Sequence, residues 1–362
     1  MTVGNRTSSA PLLLASNHSI LARLTRSRLS RRGLLWGACV ALLALIGARP
    51  LIADEPVRIG VIGLDTSHSL AFTEIFNGEN PAEDVAGFRV TVAYPYGSAD
   101  IESSASRIPG YTEQIKAMGV EIAESIPELL EKCDCVLLET NDGRLHLEQY
   151  RLIAATKKPC FIDKPLAASL ADIVAIYDVA AAHDAPVFSC SSLRFSSGPQ
   201  AARNGEAGEV LGCEAYSPCS LEATHPSLYW YGIHGVEILY TVMGAGCETV
   251  SRAHSDDFDF ATGVWSDGRI GTFRGIRKGK AGYGGVVYGS NEIRSLGNFD
   301  GYRPLVVEIA RFFRSGEAPI EPAETIELYA FMTAADESLA RNGAPVAIAE
   351  VLEAARQEAA SR

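Results

Sequence analysis

Short apolar runs alternate with helical patterns over about 130 residues, and this alternation constrains the fold more than any other feature. The spacing between the runs fits helices, and Ser125-Ile126-Pro127-Glu128 has the form of a capping box at a helix start. The runs are typical of buried parallel strands and lie at residues 57–63, 88–94, 135–138, 159–162 and 187–188. This part of the chain is therefore expected to be α/β, with a doubly wound parallel sheet.

The pattern changes after about residue 190. Residues 271–276 and 286–288 are short apolar runs with glycine-rich joints, which is typical of an antiparallel sheet. Helices are expected at 231–243, 304–314 and 322–341, the last two closing the chain. At 362 residues the sequence fits two domains, an α/β domain over 54–188 and an α+β domain over 189–362.

The first 53 residues differ from the rest of the chain in charge. They hold seven arginines and no acidic residue, which leaves 25 basic against 44 acidic residues in the remainder. A body this acidic argues against general binding to nucleic acid or to an anionic membrane.

An export signal is expected at residues 1–53. Ser30-Arg31-Arg32 precedes an apolar run at 34–46, and small residues lead to a cut after Ala53. The paired arginines resemble a twin-arginine signal. The run is too short to cross a hydrocarbon core about 30 Å thick, so we expect a periplasmic or other extracytoplasmic protein with no membrane span after cleavage. An uncleaved membrane anchor or a buried helix is the alternative.

The cysteines give no metal framework. Seven remain after Cys39 leaves with the signal, and the chain has no C-x-x-C pair. Buried free thiols are therefore expected, and no metal site is predicted.

Three stretches together resemble the Gfo/Idh/MocA (glucose-fructose oxidoreductase / inositol dehydrogenase) family. They are Arg58-Ile59-Gly60-Val61-Ile62-Gly63, the segment 157–166 containing Asp163-Lys164-Pro165, and Gly232-Ile233-His234. The resemblance implies an NAD(P)-binding Rossmann domain followed by a sheet domain that holds a sugar-like or polyol substrate. It also implies hydride transfer between the nicotinamide and a substrate carbon, and homo-oligomers formed through the second sheet.

Gly60, Gly63, Thr66 and Ser67 are the residues expected nearest the dinucleotide. The glycines permit a tight turn after the first strand, and the next helix offers N–H groups to a pyrophosphate. Thr66 and Ser67 add hydroxyl groups, although Thr66 is equally suited to be the N-cap of that helix.

Two positions depart from the glycine fingerprint of the family. Asp65 and His68 stand where the second and third glycines are expected, and Asp65 places a carboxylate near the expected pyrophosphate. Residues 94–98 hold no acid to bind a ribose, so neither NAD nor NADP is favoured.

Asn141, His146 and Asp163 are also assigned to the cofactor by the resemblance. Residues 141–146 fall where the family has Thr-Pro-Asn-x-x-His, a loop on the nicotinamide side, and His146 matches while Asn141 does not. An ordinary turn and helix start is the alternative for this loop. Asp163 is expected to hold the local geometry of Lys164.

Lys164 and His234 are the predicted catalytic residues. A lysine before proline at the end of a strand lies over the cleft, where its ammonium can stabilise an alkoxide. His234 is the expected general base. The family often has an Asp four residues before this histidine; here the position is Trp230, and Glu237 is a possible substitute on the same helix face.

Arg194 and Tyr231 are the expected substrate contacts. Arg194, expected on the first strand of the second domain, can either bind substrate oxygens or pair with an acid at the domain junction. Tyr231 belongs to an aromatic cluster on which a sugar ring can stack, or which serves only packing.

The sequence therefore predicts an exported NAD(P)-dependent oxidoreductase with a tightly bound cofactor, since that compartment has no soluble NAD pool. Two alternatives remain open. One is a binding protein that keeps the fold without catalysis, and the other is a glycoside hydrolase or lyase that uses bound NAD transiently.

Overall fold

A computed structural model describes residues 55–361, and the predicted export signal at 1–53 lies outside them. The first half of the described chain forms a six-stranded parallel sheet in the order β3-β2-β1-β4-β5-β6. Strand order therefore reverses between β1 and β4, which opens a crevice at their carboxyl ends. The strands are β1 (Val57–Ile62), β2 (Phe88–Tyr94), β3 (Glu121–Ile122), β4 (Cys135–Leu138), β5 (Cys160–Ile162) and β6 (Val187–Phe188).

Helices connect these strands, as the sequence predicts. Ser125 caps the fourth helix by accepting a hydrogen bond from the Glu128 amide, and the Glu128 carboxylate accepts one from the Glu124 amide. Gly60 allows this helix to pack closely on β1, since an added Cβ would lie 2.6 Å from Cδ2 of Leu129. The helices are α1 (Ser67–Asn77), α2 (Glu102–Ala105), α3 (Ile108–Ala117), α4 (Ile126–Lys132), α5 (His146–Ala154) and α6 (Leu170–His183).

A seven-stranded sheet follows, in the order β12-β11-β7-β10-β9-β8-β13. Its described pairs are antiparallel except β7 with β10, so the expectation of a mostly antiparallel sheet is confirmed. The elements are α7 (Ser197–Arg203), β7 (Val210–Pro218), α8 (Ile233–Met243), β8 (Cys247–His254), β9 (Phe258–Trp265), β10 (Ile270–Ile276), β11 (Gly284–Gly289), β12 (Ile293–Ser295) and β13 (Val346–Ala347).

Three helices close the described chain, one more than expected: α9 (Arg303–Ser315), α10 (Pro322–Ala340) and α11 (Ile348–Ala359). Helix α9 returns to the first sheet. Phe313 packs against Phe88 with ring centroids 6.1 Å apart, and Phe312 packs edge-on against Phe188 at 4.9 Å. Residues from both halves of the sequence therefore build the core on this face of the parallel sheet.

Two expectations about local structure have clear outcomes. The strand expected at Arg194 is instead a short 3₁₀ turn, Ser192–Phe195, in which the Leu193 amide donates a hydrogen bond to the Ser191 side chain. The seven cysteines within 55–361 are all free and buried, as expected. In the same range, no helix is long and apolar enough to cross a membrane.

Candidate active site

A cavity of about 270 Å³ lies between the loops that follow β1, β4 and β5 and the start of α8. It brings together six of the predicted site residues: Thr66, Ser67, Asn141, Lys164, Tyr231 and His234. Its other lining residues are His68, Ser103, Arg107, Ser192, Leu193, Trp230, Tyr283, Phe299 and Tyr302.

Lys164 follows β5 and is 7% exposed. Its Nζ lies 5.9 Å from the centre of the Tyr231 ring. Among residues 55–361 the ammonium has no side-chain hydrogen-bond partner. A buried ammonium in this position is available to bind an oxygen of a ligand in the cavity.

His234 lies on the first turn of α8 and is held by Ser191. Its Nδ1 lies 2.6 Å from Ser191 Oγ, and that oxygen also accepts a hydrogen bond of 3.2 Å from the Leu193 amide. Burial, followed by the charges of Lys164 and His68, lowers the pKa of His234 well below its usual value. The ring is therefore neutral near pH 7, with Nε2 unpartnered among the described residues.

Glu237 does not orient His234, in contrast to the sequence expectation. Its carboxylate accepts a hydrogen bond of 2.9 Å from the Ser191 amide and pairs with the Arg194 guanidinium. It therefore acts on the segment that carries Ser191. Ser191 is 43 residues from His234 in sequence and belongs to no motif, so nothing in the sequence indicates this contact.

Arg194 does not line the cavity. Its guanidinium is 3% exposed and pairs with Glu237 and, at 2.6 Å, with Glu324 of α10. The structure thus favours the junction ion pair over the expected substrate contact, because both carboxylates lie inside the protein beside it.

The turn after β1 is set by Gly63, whose φ is +97°. A Cβ there would lie 2.3 Å from the Thr140 amide nitrogen, so the ends of β1 and β4 approach as closely as backbone allows. Thr66 is the N-cap of α1, accepting a hydrogen bond of 3.4 Å from the His68 amide, and it also lines the cavity. Gly60 lies within β1 and does not reach the cavity.

Asp65 is fully buried and does not line the cavity. Its carboxylate accepts hydrogen bonds from the Asn141 amide, at 3.1 Å, and from the Ser104 hydroxyl. Burial raises the pKa of Asp65 to about 6, and these hydrogen bonds oppose the rise. The guanidinium of Arg107, which the sequence did not single out, donates to the Asp65 carbonyl at 3.3 Å and lines the cavity.

His146 is fully buried and lies outside the cavity lining. Its Nε2 lies 2.6 Å from the Thr140 carbonyl oxygen, and its Nδ1 lies 3.0 Å from that of Leu166. The ring therefore ties the loop after β4 to the loop after β5. Burial lowers the pKa of His146 below its usual value.

Beneath the cavity lies a cluster of three buried side chains, His68, Glu139 and Asp163. Nδ1 of His68 lies 2.7 Å from Oδ2 of Asp163. Burial, together with the charge of Asp163, raises the pKa of Glu139 well above its usual value. Although burial opposes it, the charge of His68 holds the pKa of Asp163 below its usual value.

A second cavity of about 430 Å³ lies at the carboxyl end of β2. The rings of Tyr94 and Tyr96 stack there, 5.6 Å apart, opposite Ile126 and Leu152. In a doubly wound sheet this is the side of the crevice that receives the base of a nucleotide.

The family comparison agrees with this geometry. Residues 57–190 match the model of the Gfo/Idh/MocA oxidoreductase family with an NAD-binding Rossmann fold. Residues 57–190 are thus similar to the NAD-binding domain of this family. The segment that matches, 57–190, is called the Gfo/Idh/MocA domain below; it covers the whole parallel sheet, including the turn after β1 and Asp163-Lys164-Pro165.

Solved structures share the fold of the Gfo/Idh/MocA domain and of the sheet that follows it. A probable dehydrogenase from Thermotoga maritima is 21% identical, with a TM-score of 0.65, over 82% of this chain and 100% of its own. Scyllo-inositol dehydrogenase from Lactobacillus casei, with bound NAD(H) and scyllo-inositol, is 14% identical, with a TM-score of 0.65, over 81% and 99%. Myo-inositol dehydrogenase from the same organism, in complex with NAD(H) and myo-inositol, is 15% identical, with a TM-score of 0.63, over 81% and 96%. No curated protein matches the sequence.

The residues of the Gfo/Idh/MocA domain fit a dinucleotide. The turn at Gly63 leaves no room for a side chain, Thr66 and Ser67 line the cavity, and the Tyr94–Tyr96 pocket lies on the base side. Because the Asp65 carboxylate points into the protein, it does not occupy this path.

Proposed function

We propose that the protein is an NAD(P)-dependent oxidoreductase that transfers a hydride between the nicotinamide and a sugar-like or polyol substrate. The observation that carries the proposal is the shared cavity of Lys164 and His234. Lys164 supplies an ammonium without a side-chain hydrogen-bond partner, and His234 supplies a neutral imidazole. Both lie at the carboxyl edge of an NAD-binding domain.

The bound nicotinamide supplies the site that accepts or donates the hydride. Lys164 donates a hydrogen bond to the reacting substrate oxygen and stabilises the negative charge that develops on it. With Nδ1 of His234 donating to Ser191 Oγ, Nε2 carries the lone pair that accepts the hydroxyl proton. The lowered pKa of His234 keeps the ring in this neutral form.

The walls of the cavity support a sugar-like or polyol substrate. The ring centre of His234 lies 5.3 Å from that of Tyr231 and 5.6 Å from that of Tyr283, and the aromatic wall continues through Phe299 to Tyr302. Aromatic faces pack well against the C–H faces of such molecules. No carboxylate lines the cavity among the described residues.

The first experiment is to denature the full purified chain and analyse what is released, by absorbance and mass spectrometry. Close to one NAD(H) or NADP(H) per chain supports the proposal and names the cofactor. A protein that releases none, and whose Tm neither dinucleotide shifts, contradicts the proposal and favours a binding protein.

The role of Lys164 is tested by Lys164→Ala. Turnover should fall about 100-fold or more because the alkoxide loses its hydrogen-bond donor, while dinucleotide affinity stays close to wild type. Lys116→Ala is the matched control, since Lys116 is exposed on α3. Turnover of Lys164→Ala near the wild-type level rules out this role.

We further propose that the protein is exported with its cofactor tightly bound. The basis is the arginine pair and apolar run within residues 1–53. Cell fractionation of the full chain, beside an Arg31→Lys, Arg32→Lys double variant, tests this. Export of wild type alone supports a twin-arginine signal, and retention of both in the cytoplasm contradicts it.

We also propose a homo-oligomer formed through the second sheet. Its strands leave Leu211 53% exposed, Ile270 54% exposed and Ile293 70% exposed, although all three are large and apolar. Light scattering during size-exclusion chromatography measures the assembly state. A monomer at micromolar concentration contradicts the proposal.

A further inference from the structure

The cluster of His68, Glu139 and Asp163 lies outside the proposed transfer of hydride and proton. The three side chains converge from separate elements: His68 from the first turn of α1, Glu139 from the residue after β4 and Asp163 from the residue after β5. All three are buried, and Glu139 is fully so. Of the three, His68 also lines the cavity.

Three of the four carboxylate oxygens of this cluster lack partners among the described residues. Neither oxygen of Glu139 has a hydrogen-bond partner within residues 55–361, and neither does Oδ1 of Asp163. A buried polar group without a partner is costly, and a buried carboxylate is the costlier case. The space between these oxygens can therefore hold a cation, or a proton.

The distances suit a metal ion. One potential ligand atom from each residue lies within 4.8 Å of the other two. An ion about 2.0–2.4 Å from each ligand gives separations of this size.

We propose that His68, Glu139 and Asp163 bind one divalent cation, of the Mn²⁺ or Zn²⁺ class. One imidazole and two carboxylates form a mixed nitrogen and oxygen set, which suits these ions better than Ca²⁺ or Cu⁺. Because His68 and Lys164 both line the cavity, an ion held by the cluster would lie next to it. There the ion can bind and polarise an oxygen of the ligand that occupies the cavity.

This site does not depend on the proposed oxidoreductase activity. The test measures the metal content of the protein, so a protein that binds the ion without any dinucleotide still supports the metal site. Conversely, a protein that releases NAD(H) but binds no ion contradicts the metal site alone.

The experiment uses the full chain, stripped with EDTA and dialysed. MnCl₂ is titrated with electron paramagnetic resonance of the free ion as the readout, and ZnCl₂ by calorimetry. Wild type should bind one ion per chain, and Glu139→Gln should bind it at least about tenfold more weakly. The matched control is Glu148→Gln, an exposed carboxylate on α5, which should bind like wild type.

His68→Gln is the second variant, in case Glu139→Gln does not fold, as judged by circular dichroism. Two outcomes overturn the proposal. If wild type binds neither ion up to millimolar concentration, a shared proton occupies the cluster. If both cluster variants fold and bind as wild type does, the ion lies elsewhere.

Discussion

Ser191 Oγ lies 2.6 Å from Nδ1 of His234, and this contact takes the place of the acid that the sequence led us to expect at Glu237. A hydroxyl group can fix the orientation of an imidazole without adding a negative charge to it. The proposed base is thus positioned by a neutral partner inside a buried site.

Ser191→Ala should lower kcat about tenfold or more, since the imidazole loses the contact that fixes its tautomer. The pH profile of kcat should also shift, which a purely structural defect would not cause. The control is Ser189→Ala, because the buried Ser189 hydroxyl has no hydrogen-bond partner among the described residues. Unchanged kcat and pH profile in Ser191→Ala would show that the contact is dispensable.

Asp65 should make the protein less stable as pH rises. Because burial raises its pKa from 3.8 to about 6, the folded state binds this proton more tightly than the unfolded state. The contribution of this group is therefore most favourable below pH 4 and is lost as pH rises through about 6.

Asp65→Asn removes this dependence and keeps an oxygen to accept from the Asn141 amide. Between pH 5 and pH 8, its stability relative to wild type should improve by about 1 kcal/mol, measured by urea unfolding. Asp178→Asn, on the exposed face of α6, should leave the pH dependence as in wild type. If the stability of Asp65→Asn depends on pH in the same way as that of wild type, the Asp65 carboxyl group does not titrate in this range.

Arg194→Met should destabilise the fold by about 3–5 kcal/mol, because it leaves the carboxylate of Glu237 buried without its cation. Adding Glu237→Gln should restore part of the loss. Urea unfolding of both variants measures the difference. If Arg194→Met instead raises KM with stability unchanged, the arginine serves the substrate after all.

Gly63→Ala should destabilise the protein more than Gly87→Ala. Both glycines have positive φ, +97° and +84°, but an added Cβ at Gly87 meets open space. Gly87→Ala, the control, should therefore lower the free energy of unfolding by about 1 kcal/mol, from backbone strain alone. Gly63→Ala should lower it by at least about 1–3 kcal/mol more. Thermal unfolding of both variants gives the comparison, and equal losses would show that β1 and β4 separate easily.

The parallel sheet, the cavity residues Lys164 and His234, and the closing helices α9 and α10 follow from patterns within short windows of sequence. Contacts between residues that are far apart in sequence cannot be predicted from such patterns. Arg194 pairs with Glu324, 130 residues away, and nothing near Arg194 indicates a buried acid. Likewise, the sequence predicts His146 as a site residue because its position matches the family motif. The carbonyl groups of Thr140 and Leu166 come within hydrogen-bond distance of it only in the folded chain.

Asp65 and His68 show a second limit. Both break the glycine fingerprint, and the sequence suggests only that they disturb a phosphate site. The fold turns Asp65 inward onto the Asn141 amide and brings His68 to Asp163, 95 residues away. The direction of a side chain after a turn depends on the space and the hydrogen-bond partners that distant parts of the chain provide.

Helix α9 has a consequence for the order of events during synthesis. Phe312 and Phe313 complete the core against Phe188 and Phe88, so part of one apolar face of the parallel sheet stays uncovered until the ribosome has passed residue 313. A growing chain with such a face exposed is prone to associate with other chains. The amino-terminal sheet should therefore depend on chaperones until helix α9 emerges.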